Sequence, residues 1–530
     1  MKILKLKYPL LLAALLSLGS CNNYLDINDS PNNIGAEQMT PVVVLPGAIT
    51  NNYRVQARRL NFVTGVFMNS YAGNSYSYGT PLVDEYTPNI SDSFYNDIWD
   101  DFYRNSANFQ AIIDFKDDKA EYVQYKAIAK VMKAYYMGII TDLYGDAPYS
   151  EAFKFQNNTT PKYDKGEDIY KASIADIENA IAAFNSGQGL NPSSADVVFQ
   201  GDATKWVAFA NTLKLRFLLR MSKVTGDMGT YRDQKLATLA GAQFLTADAT
   251  VNPGYSSKTN AQQNPYTNYF YITSALTRPQ NFGLITASEN IAIALNGNPT
   301  NDTRPFYQKY NGIVDGRRGR MFSLVSGRVE GVRQGATPGQ PGAEAGRSVS
   351  RIHYGIVMGN LTPTSNQQLV DYSSQKSGVL ISLAETKFLL AEAAIRYPSL
   401  FSNATTNFNA GITASFNYFG ASATSAAYIT AIQAVPGLGI AAGSTENKIE
   451  AIMTQKWIAL TGVNPEQSYF DYSRTGYPQS PLPTITSRDS RPNRLMYPGS
   501  EYATNTNNVP AMSSADAFTK NKLTPFWNRN

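Results

Sequence analysis

The sequence predicts a mainly α protein in which a helical scaffold carries a loop-rich insert and few short strands. Two observations support this fold class. In both halves of the chain, apolar residues recur every three or four positions over long segments, which is the spacing that lines one face of an α-helix. Between about 246 and 376 this spacing fades and Gly, Asn, Thr and Pro dominate, which is typical of loops.

The first twenty residues have the pattern of a lipoprotein signal peptide. Three lysines precede an apolar run over 9–18, and the motif Leu-Gly-Ser-Cys ends at Cys21, the single cysteine. We therefore expect cleavage before Cys21 and its acylation, rather than the alternative of a lone buried thiol. The apolar run is shorter than the ~18 residues that span a bilayer. Residues 21–40 are polar and are predicted to form a lipidated tether.

Composition narrows the classes of function. Charged residues make up 16% of the chain and aromatic residues 12%, with 34 tyrosines, a balance that suits stacking and hydrogen bonding to neutral polar ligands. The alternative is that most tyrosines are half-buried between helices. Removing residues 1–20 takes away three lysines and no acids, so the formal net charge falls from +5 to +2. This balance argues against nucleic acid as a partner.

The scaffold is predicted to begin with an irregular helix from about Val44 to Ser70. The following segment, Tyr71–Tyr86, holds too much Gly, Ser and Pro for a helix. Ser91 or Asp92 is expected to cap the next helix. The inner side of that helix is predicted to carry Phe94, Ile98, Phe102, Phe109, Ile112 and Ile113.

The central helix of the scaffold is predicted within Glu121–Phe153. Lys126, Lys130 and Lys133 share one side, which we expect to be solvated, and Gly145 marks the end of the helix. The opposite side is predicted to be buried at Tyr125, Ile128, Met132, Tyr135, Tyr136, Ile139 and Leu143, and small residues at Ala127, Ala129, Ala134 and Gly138 are expected to admit a neighbouring helix.

Two further helices are expected to pack beside the central one. The first covers Asp168–Phe184, and the second opens at Asp202 or Thr204, covers Trp206–Val224 and is stopped by Gly226. Antiparallel helices of this type resemble a tetratricopeptide-repeat pair, although a long loop departs from the compact repeat. We therefore predict a tetratricopeptide-repeat-like scaffold.

The remaining chain completes one domain over residues 41–530. The scaffold is expected to cover about 43–245 and 377–475, interrupted by the insert at about 246–376, and residues 476–530 are expected to be irregular. Within the insert, residues 316–347 hold Gly and Arg with few apolar residues, so partial disorder is expected there. Helical spacing returns at Leu383–Arg396, Thr405–Phe419 and Ser444–Leu460.

Several short motifs occur in a fixed order along the chain. They are YLDIN at 24–28, TDLYGDAPYSEA at 141–152, NTLKLRF at 211–217, QKWIAL at 455–460, FDYSRTGYP at 470–478 and RPNRLMYP at 491–498. Together they resemble the SusD/RagB family, in its shorter SusD-like subgroup, over essentially the whole mature chain. The resemblance implies a lipid-anchored nutrient-binding protein of the outer membrane, facing the cell exterior. It also implies delivery to a SusC-like TonB-dependent barrel transporter, over which the protein acts as a hinged lid. The implied ligand is an oligosaccharide, with a peptide as the alternative.

The chain is not expected to be an enzyme, and no cofactor or metal is predicted. His353 is the single histidine, so sites built on several histidines have nothing to assemble around. Asp142 and Asp146 flank a turn, where capping explains them. Calcium at 26–29 would lack the Gly and distal Glu of a hand-type loop. A surface-anchored glycoside hydrolase and a helical scaffold or adhesin without a small ligand remain the alternatives to the binding protein.

Two loop stretches concentrate aromatic residues beside amides. We nominate Asn74, Tyr76 and Tyr78 from one, and Asn268, Tyr269 and Tyr271 from the other, as ligand-binding residues. Sugar rings pack on aromatic faces, and their hydroxyls bond to amides. In an extended chain the two tyrosines of each stretch would point to the same face. The alternative is a β-hairpin whose alternate aromatic residues pack inward.

Overall fold

The computed structural model of the chain describes residues 39–154 and 157–529. The predicted signal peptide, Cys21, the tether up to residue 38 and the acidic stretch at 26–29 lie outside the described residues. Across the described part, the chain folds into twenty α-helices and four short strands, which confirms the mainly α prediction. No helix among these residues is both long and apolar enough to cross a membrane.

The first predicted helix is a run of three helical segments. Helix α1 covers Pro41–Val55, a π-helical turn covers Gln56–Leu60, and α2 covers Asn61–Phe67. The chain then forms strand β1, Tyr71–Gly73, and the short helix α3, Val83–Tyr86.

Helix α4 covers Asn96–Asp114, so the predicted caps at Ser91 and Asp92 are wrong. The N-cap position is Tyr95, which has a left-handed backbone (φ 53°) and forms no side-chain cap. The predicted inner side is confirmed at four positions, since Ile98, Phe102, Phe109 and Ile112 are buried; Phe94 is also buried but precedes the helix. Ile113 is half-buried against the same core.

The central helix, α5, covers Val123–Tyr144 and ends at Gly145 with φ 78°, as predicted. The solvated lysine face is wrong at Lys133, which is 7% exposed. Its Nζ donates to Gln110 Oε1 of α4 at 2.8 Å and lies 4.3 Å from the ring centre of Tyr149. Neighbouring elements therefore cover α5 on more sides than a single amphipathic face suggests.

Helix α6 covers Gly166–Ser186 and α7 covers Ala203–Arg220. Asp202 caps α7 as predicted, since its Oδ1 accepts from Lys205 N at 3.1 Å. The predicted end of α7 is four residues too late. Gly226 does not stop this helix but opens the next one, α8, which covers Gly226–Ala237.

The insert is built from short elements and contains the strands that pair with its flanks. Strand β1 pairs antiparallel with β3, Ile285–Ala287, with Tyr71 opposite Ala287. Strand β2, Ala249–Val251, pairs antiparallel with β4, Gly378–Ile381, with Ala249 opposite Ile381. The elements in order are β2 Ala249–Val251, α9 Pro265–Phe270, α10 Gln280–Leu284, β3 Ile285–Ala287, α11 Glu289–Asn296, α12 Arg318–Met321, α13 Tyr354–Met358, α14 Asn366–Gln375 and β4 Gly378–Ile381.

The Gly- and Arg-rich segment at 316–347 packs against the scaffold. Arg317 is fully buried and pairs with Asp315 at 2.6 Å. Gln334 Nε2 donates to Val66 O at 2.8 Å and to Tyr71 O at 2.7 Å. The partial disorder expected for this segment is therefore not what the structure shows.

The second half of the scaffold agrees with the predicted helices. Helix α15 has the predicted bounds, and Ser444 caps α18 through a capping box with Asn447. Helices α17 and α19 were not predicted as separate elements, and the segment after residue 475 contains one short helix. The bounds are α15 Leu383–Arg396, α16 Ala404–Phe419, α17 Ser425–Ile432, α18 Thr445–Leu460, α19 Pro465–Thr475 and α20 Gly499–Thr504.

A buried network of charges joins these helices. Lys456 of α18 pairs with Asp471 of α19 at 2.8 Å, and Arg474 pairs with the same carboxylate at 2.8 Å. Arg220 of α7 lies 3.3 Å from Asp471 and 3.3 Å from Asp142 of α5. Several of the motifs that carried the family resemblance therefore meet in space around one set of ion pairs.

Candidate ligand-binding surface

The first nominated loop follows strand β1 and is held against α10. Asn74 N donates to Leu284 O at 2.8 Å, and its Nδ2 donates to Gly283 O at 3.2 Å. Asn74 is 1% exposed, so its amide anchors the loop. Tyr78 is half-buried and lies across Gly283, where an added Cβ would come 2.9 Å from the tyrosine Oη.

The side chain of Tyr76 extends from the same loop in a different direction from that of Tyr78. Its hydroxyl donates to the carbonyl oxygen of Glu344 in the Gly- and Arg-rich segment. This contact borders a shallow cleft lined in part by Glu289, Glu330 and Arg347. The charged side chains at this edge form ion pairs: Arg347 pairs with Glu330 and also with Glu344.

The second nominated loop is not extended. Pro265–Phe270 forms helix α9, and Asn264 caps it by accepting from Tyr266 N at 2.9 Å and Thr267 N at 3.2 Å. Tyr269 and Tyr271 therefore do not share a face in the way that an extended chain would place them. The hairpin alternative is also wrong for these residues.

The two tyrosines of this loop have different surroundings. Tyr271 is 2% exposed and packs edge-on against Phe282, with ring centres 5.7 Å apart. Tyr269 is half-buried, and the guanidinium carbon of Arg58 lies 5.7 Å from its ring centre. Asn268 Oδ1 accepts from Arg58 Nη2 at 2.9 Å, so this amide fixes the arginine beside the tyrosine.

Helix α10 brings the two loops together. Within α10, Asn281 Nδ2 donates to Tyr269 O of the second loop at 3.2 Å. Two residues later in the same helix, Gly283 O accepts from Asn74 Nδ2 of the first loop. Arg351 secures the other side of α10 by donating through Nη1 to Gly283 O at 2.7 Å and Ile285 O at 3.0 Å. Tyr78 and Tyr269 thus belong to one contiguous region of the molecule.

Three aromatic residues that the sequence analysis did not nominate extend this region. Phe282 stands between the two loops, and the ring of His353 stacks on Tyr354 at 4.0 Å between centres. The guanidinium of Arg278 lies over Tyr271 at 4.4 Å and over Phe282 at 4.2 Å. We call the half-buried set the aromatic surface, and it consists of Tyr78, Tyr269, Phe282, His353 and Tyr354.

The single histidine belongs to this surface. His353 Nδ1 lies 2.9 Å from Gly319 O, and burial together with Arg320 and Arg278 lowers the pKa of its imidazole. A neutral ring stacked on Tyr354 offers a flat face and one further nitrogen for hydrogen bonding. The sequence signal was Arg351-Ile352-His353-Tyr354, which places a cation and two aromatic rings within four residues of a loop-rich region.

The acidic residues of the turn after α5 have structural partners. Asp142 is buried, and its Oδ1 accepts from Trp527 Nε1 at 2.7 Å and from the hydroxyl of Tyr170. Asp146 Oδ1 accepts from Gly166 N at 2.9 Å, at the start of α6. No group of three or more His, Cys, Asp or Glu side chains that could hold a metal ion occurs within 39–154 and 157–529.

The chain matches a protein-family model and shares its fold with solved structures. A model described as "Starch-binding associating with outer membrane", of the SusD-like group, matches residues 31–498. No curated protein matches the sequence.

Solved structures resemble the chain over nearly its whole length. A SusD homologue from Parabacteroides distasonis superposes with a TM-score of 0.70 at 18% identity, covering 92% of this chain and 97% of its own. A chitin-binding SusD homologue from Flavobacterium johnsoniae gives 0.67 at 21% identity, with coverages of 91% and 98%. One from Bacteroides thetaiotaomicron gives 0.64 at 19%, with coverages of 92% and 99%. These structures share the fold of the chain.

Proposed function

The chain belongs to the SusD-like family of starch-binding proteins that associate with the outer membrane, and from this premise we propose that it binds an oligosaccharide at the cell exterior. In this proposal Cys21 carries the lipid anchor. The bound sugar passes to a SusC-like TonB-dependent transporter, over which the protein acts as a lid. The protein binds its ligand without cleaving it.

The observation that supports a saccharide ligand is the meeting of two aromatic loops at α10. Half-buried rings from separate segments, Tyr78, Tyr269 and Phe282, lie within one region, where sugar rings can stack on them. Hydrogen-bonding groups are interspersed, including the imidazole of His353 and the guanidinium of Arg58, which Asn268 holds beside Tyr269. Such a pattern of faces and polar groups fits an oligosaccharide better than an extended apolar segment.

The six nominated residues divide by role in this proposal. Tyr76, Tyr78 and Tyr269 contact the ligand, because each is partly exposed. Asn74, Asn268 and Tyr271 hold these rings in place through the contacts described above. The division explains why replacing a contacting ring should affect binding alone, whereas replacing Tyr271 should also affect stability.

A protein that hands its cargo on needs moderate affinity. A dissociation constant between ~1 mM and ~1 μM corresponds to about −4 to −8 kcal/mol. Two or three aromatic faces can supply much of this, since fully burying a large apolar side chain contributes ~1.5–3 kcal/mol.

The proposal is tested with the double variant Tyr78→Ala, Tyr269→Ala. We expect it to lose at least about tenfold in affinity for the saccharide that the unchanged protein selects from a glycan panel, in line with the loss of ~1.4 kcal/mol or more. The measurement is isothermal titration calorimetry, paired with thermal melting. Tyr231→Ala on α8 is the matched control, because this tyrosine is also half-buried but lies on the scaffold.

Two results would contradict the proposal. One is normal saccharide binding by the double variant with an unchanged melting temperature. The other is binding of peptides and of no saccharide in the same screen, which would make the peptide alternative correct. Release of reducing ends from a bound glycan would instead identify a hydrolase.

A further inference from the structure

Four arginines border the aromatic surface. Arg58 lies beside Tyr269 and Arg278 lies over Phe282, at the distances given above. Arg351 holds α10 next to Tyr78, and Arg320 lies close enough to His353 to lower the pKa of that imidazole. The surface is therefore cationic as well as aromatic.

These guanidinium groups bond to neutral acceptors. Arg278 Nη1 donates to Tyr271 O at 2.9 Å, and Arg320 Nε donates to Phe419 O at 3.0 Å. Arg351 donates to carbonyl oxygens of α10 and β3, and Arg58 donates to Pro265 O and to the amide oxygen of Asn268. In the described part of the chain, none of the four forms an ion pair with a carboxylate.

Other arginines in and near the insert contrast with these four. Arg59 pairs with Asp97 at 2.6 Å, and Arg304 pairs with Asp302 at 2.6 Å. Arg333 pairs with Glu289 at 2.7 Å. Acidic partners are thus used widely in this region, also by Arg59, which lies beside Tyr269, whereas Arg58, Arg278, Arg320 and Arg351 bond only to neutral acceptors.

The arrangement is electrostatically unfavourable in the unbound protein. Burial lowers the pKa of Arg58 to about 10, with Arg54 adding to the effect, and burial also lowers the pKa of Arg351 and Arg320. Each lowered pKa means that the protein environment disfavours the cation. Hydrogen bonds to carbonyl groups explain how Arg351 orders α10, but neutral acceptors do not cancel the charge of its guanidinium.

The chain as a whole has no comparable excess of positive charge. Without residues 1–20 the formal net charge is +2, because 43 basic residues face 41 acidic ones. The four guanidinium groups without a carboxylate partner around the aromatic surface are therefore a local feature. Guanidinium groups recognise carboxylates and sulfates in a bidentate geometry that neutral sugars cannot offer.

We propose that the aromatic surface selects an oligosaccharide that carries acidic groups, either the carboxylates of uronic acid units or sulfate esters. The rings stack on the sugar, and Arg278 and Arg351 pair with its anionic substituents. This inference rests on the proposed function and narrows its ligand class, since composition alone suggested neutral polar ligands.

The test compares matched sugars that differ in charge. Oligogalacturonides and sulfated oligogalactans are titrated against neutral oligogalactans by calorimetry with the lipid-free protein. We expect acidic sugars to bind at least about tenfold more tightly, since hydrogen bonds to charged groups contribute ~1.5–3 kcal/mol. This preference should shrink between about 0.01 M and about 0.15 M ionic strength, because salt screens exposed charges.

Substitutions test whether the arginines at the aromatic surface cause the preference for acidic sugars. Arg278 is exposed, so Arg278→Gln should lower the melting temperature only slightly, through the lost contact with Tyr271 O, and reduce the preference for acidic sugars about tenfold. Arg278→Lys should retain part of the preference for acidic sugars, because the positive charge remains. Lys205→Gln removes one positive charge from an exposed scaffold position and should have no effect.

The outcomes separate this inference from the proposed function. Equal or weaker binding of acidic sugars, with neutral sugars bound normally, would overturn the inference and leave the proposed function standing. Unchanged selectivity in Arg278→Gln together with Arg278→Lys would overturn the assigned site. Failure of every saccharide to bind would overturn both.

Discussion

The side-chain amine of Lys376 is buried where the insert meets the scaffold. Its Nζ donates to Ile356 O at 2.6 Å and to Gly355 O at 3.2 Å, and it lies 4.1 Å from the ring centre of Tyr418. Burial lowers its pKa to about 7 from 10.5, although Asp248 acts in the opposite direction. The amine thus fastens α13, which carries Tyr354, to the end of α14, just before strand β4.

This amine should make stability depend on pH. Between about 7 and 10.5 the unfolded chain binds the proton and the folded chain does not, so the free energy of unfolding rises with pH across this window. We expect a contribution of up to ~1 kcal/mol per pH unit. The check is urea unfolding of the unchanged protein and of Lys376→Met between pH of about 7.5 and about 9, a range in which buried tyrosines stay neutral.

Lys376→Met should lose the part of the slope that this amine contributes, and Lys205→Met, at an exposed position, should keep the full slope. An identical slope in Lys376→Met would show that the amine is charged in the folded protein throughout this range. Arg320 and Asp248 face the same amine, so their substitution would also alter the slope.

Packing between helices depends on small residues at defined positions. A Cβ on Gly138 of α5 would lie 2.5 Å from the ring of Phe217 on α7. Phe217 is 5% exposed and has little room to move. The sequence predicted close approach at this glycine, and the structure identifies the partner.

Gly138→Ala should therefore destabilise the protein by ~1–3 kcal/mol, as overpacking of a core does. Chemical denaturation measures the difference in free energy of unfolding. Gly79→Ala is the control, because an added Cβ there meets nothing within 4 Å. Equal stability of the two variants would mean that α7 shifts readily and that this contact does not fix its distance from α5.

Sequence spacing predicted long helices well and short ones poorly. Leu383–Arg396 has the same bounds in sequence and structure, because Ser382 caps it and its apolar positions repeat over several turns. Helix α9 was missed, because Tyr-Phe-Tyr suggested an extended chain. Its start signals, Asn264 at the cap and Pro265 in the first turn, were present in the sequence.

The candidate site was predicted as two loops and not as one surface. Nothing local relates Tyr78 to Tyr269, which are joined through α10, or relates either of them to His353 and Tyr354. Spacing also could not show that Lys133 is buried, since its cover comes from Gln110 and Tyr149 on other elements. These features depend on tertiary contacts between distant segments.

At the scale of the whole molecule, the proposed anchor and partner can be tested together. Cys21→Ala should abolish acylation and shift the protein from the membrane fraction to the soluble envelope fraction. The unchanged protein, extracted in mild detergent, should co-purify with a barrel of the transporter class. A lid that stays with its barrel needs a contact on the order of 2,000 Å².

Metabolic labelling with a fatty acid and mass spectrometry of the captured partner are the measurements. Retention of Cys21→Ala in the membrane when the partner is deleted would contradict the anchor. Recovery of a clean monomer by gentle extraction would contradict the stable lid.

The hydrogen bond from Trp527 to Asp142 spans 385 residues of chain. At ~5–20 residues per second, synthesis of that interval takes about 20–80 s. Throughout this time a folded first half would hold the Asp142 carboxylate in a core that lacks one of its donors, and a buried acceptor without its partner is costly. The nascent chain is therefore better left open until residue 527 has been made. The export proposed for this chain would fit such a late closing contact, because the chain has to stay unfolded until it has crossed the membrane.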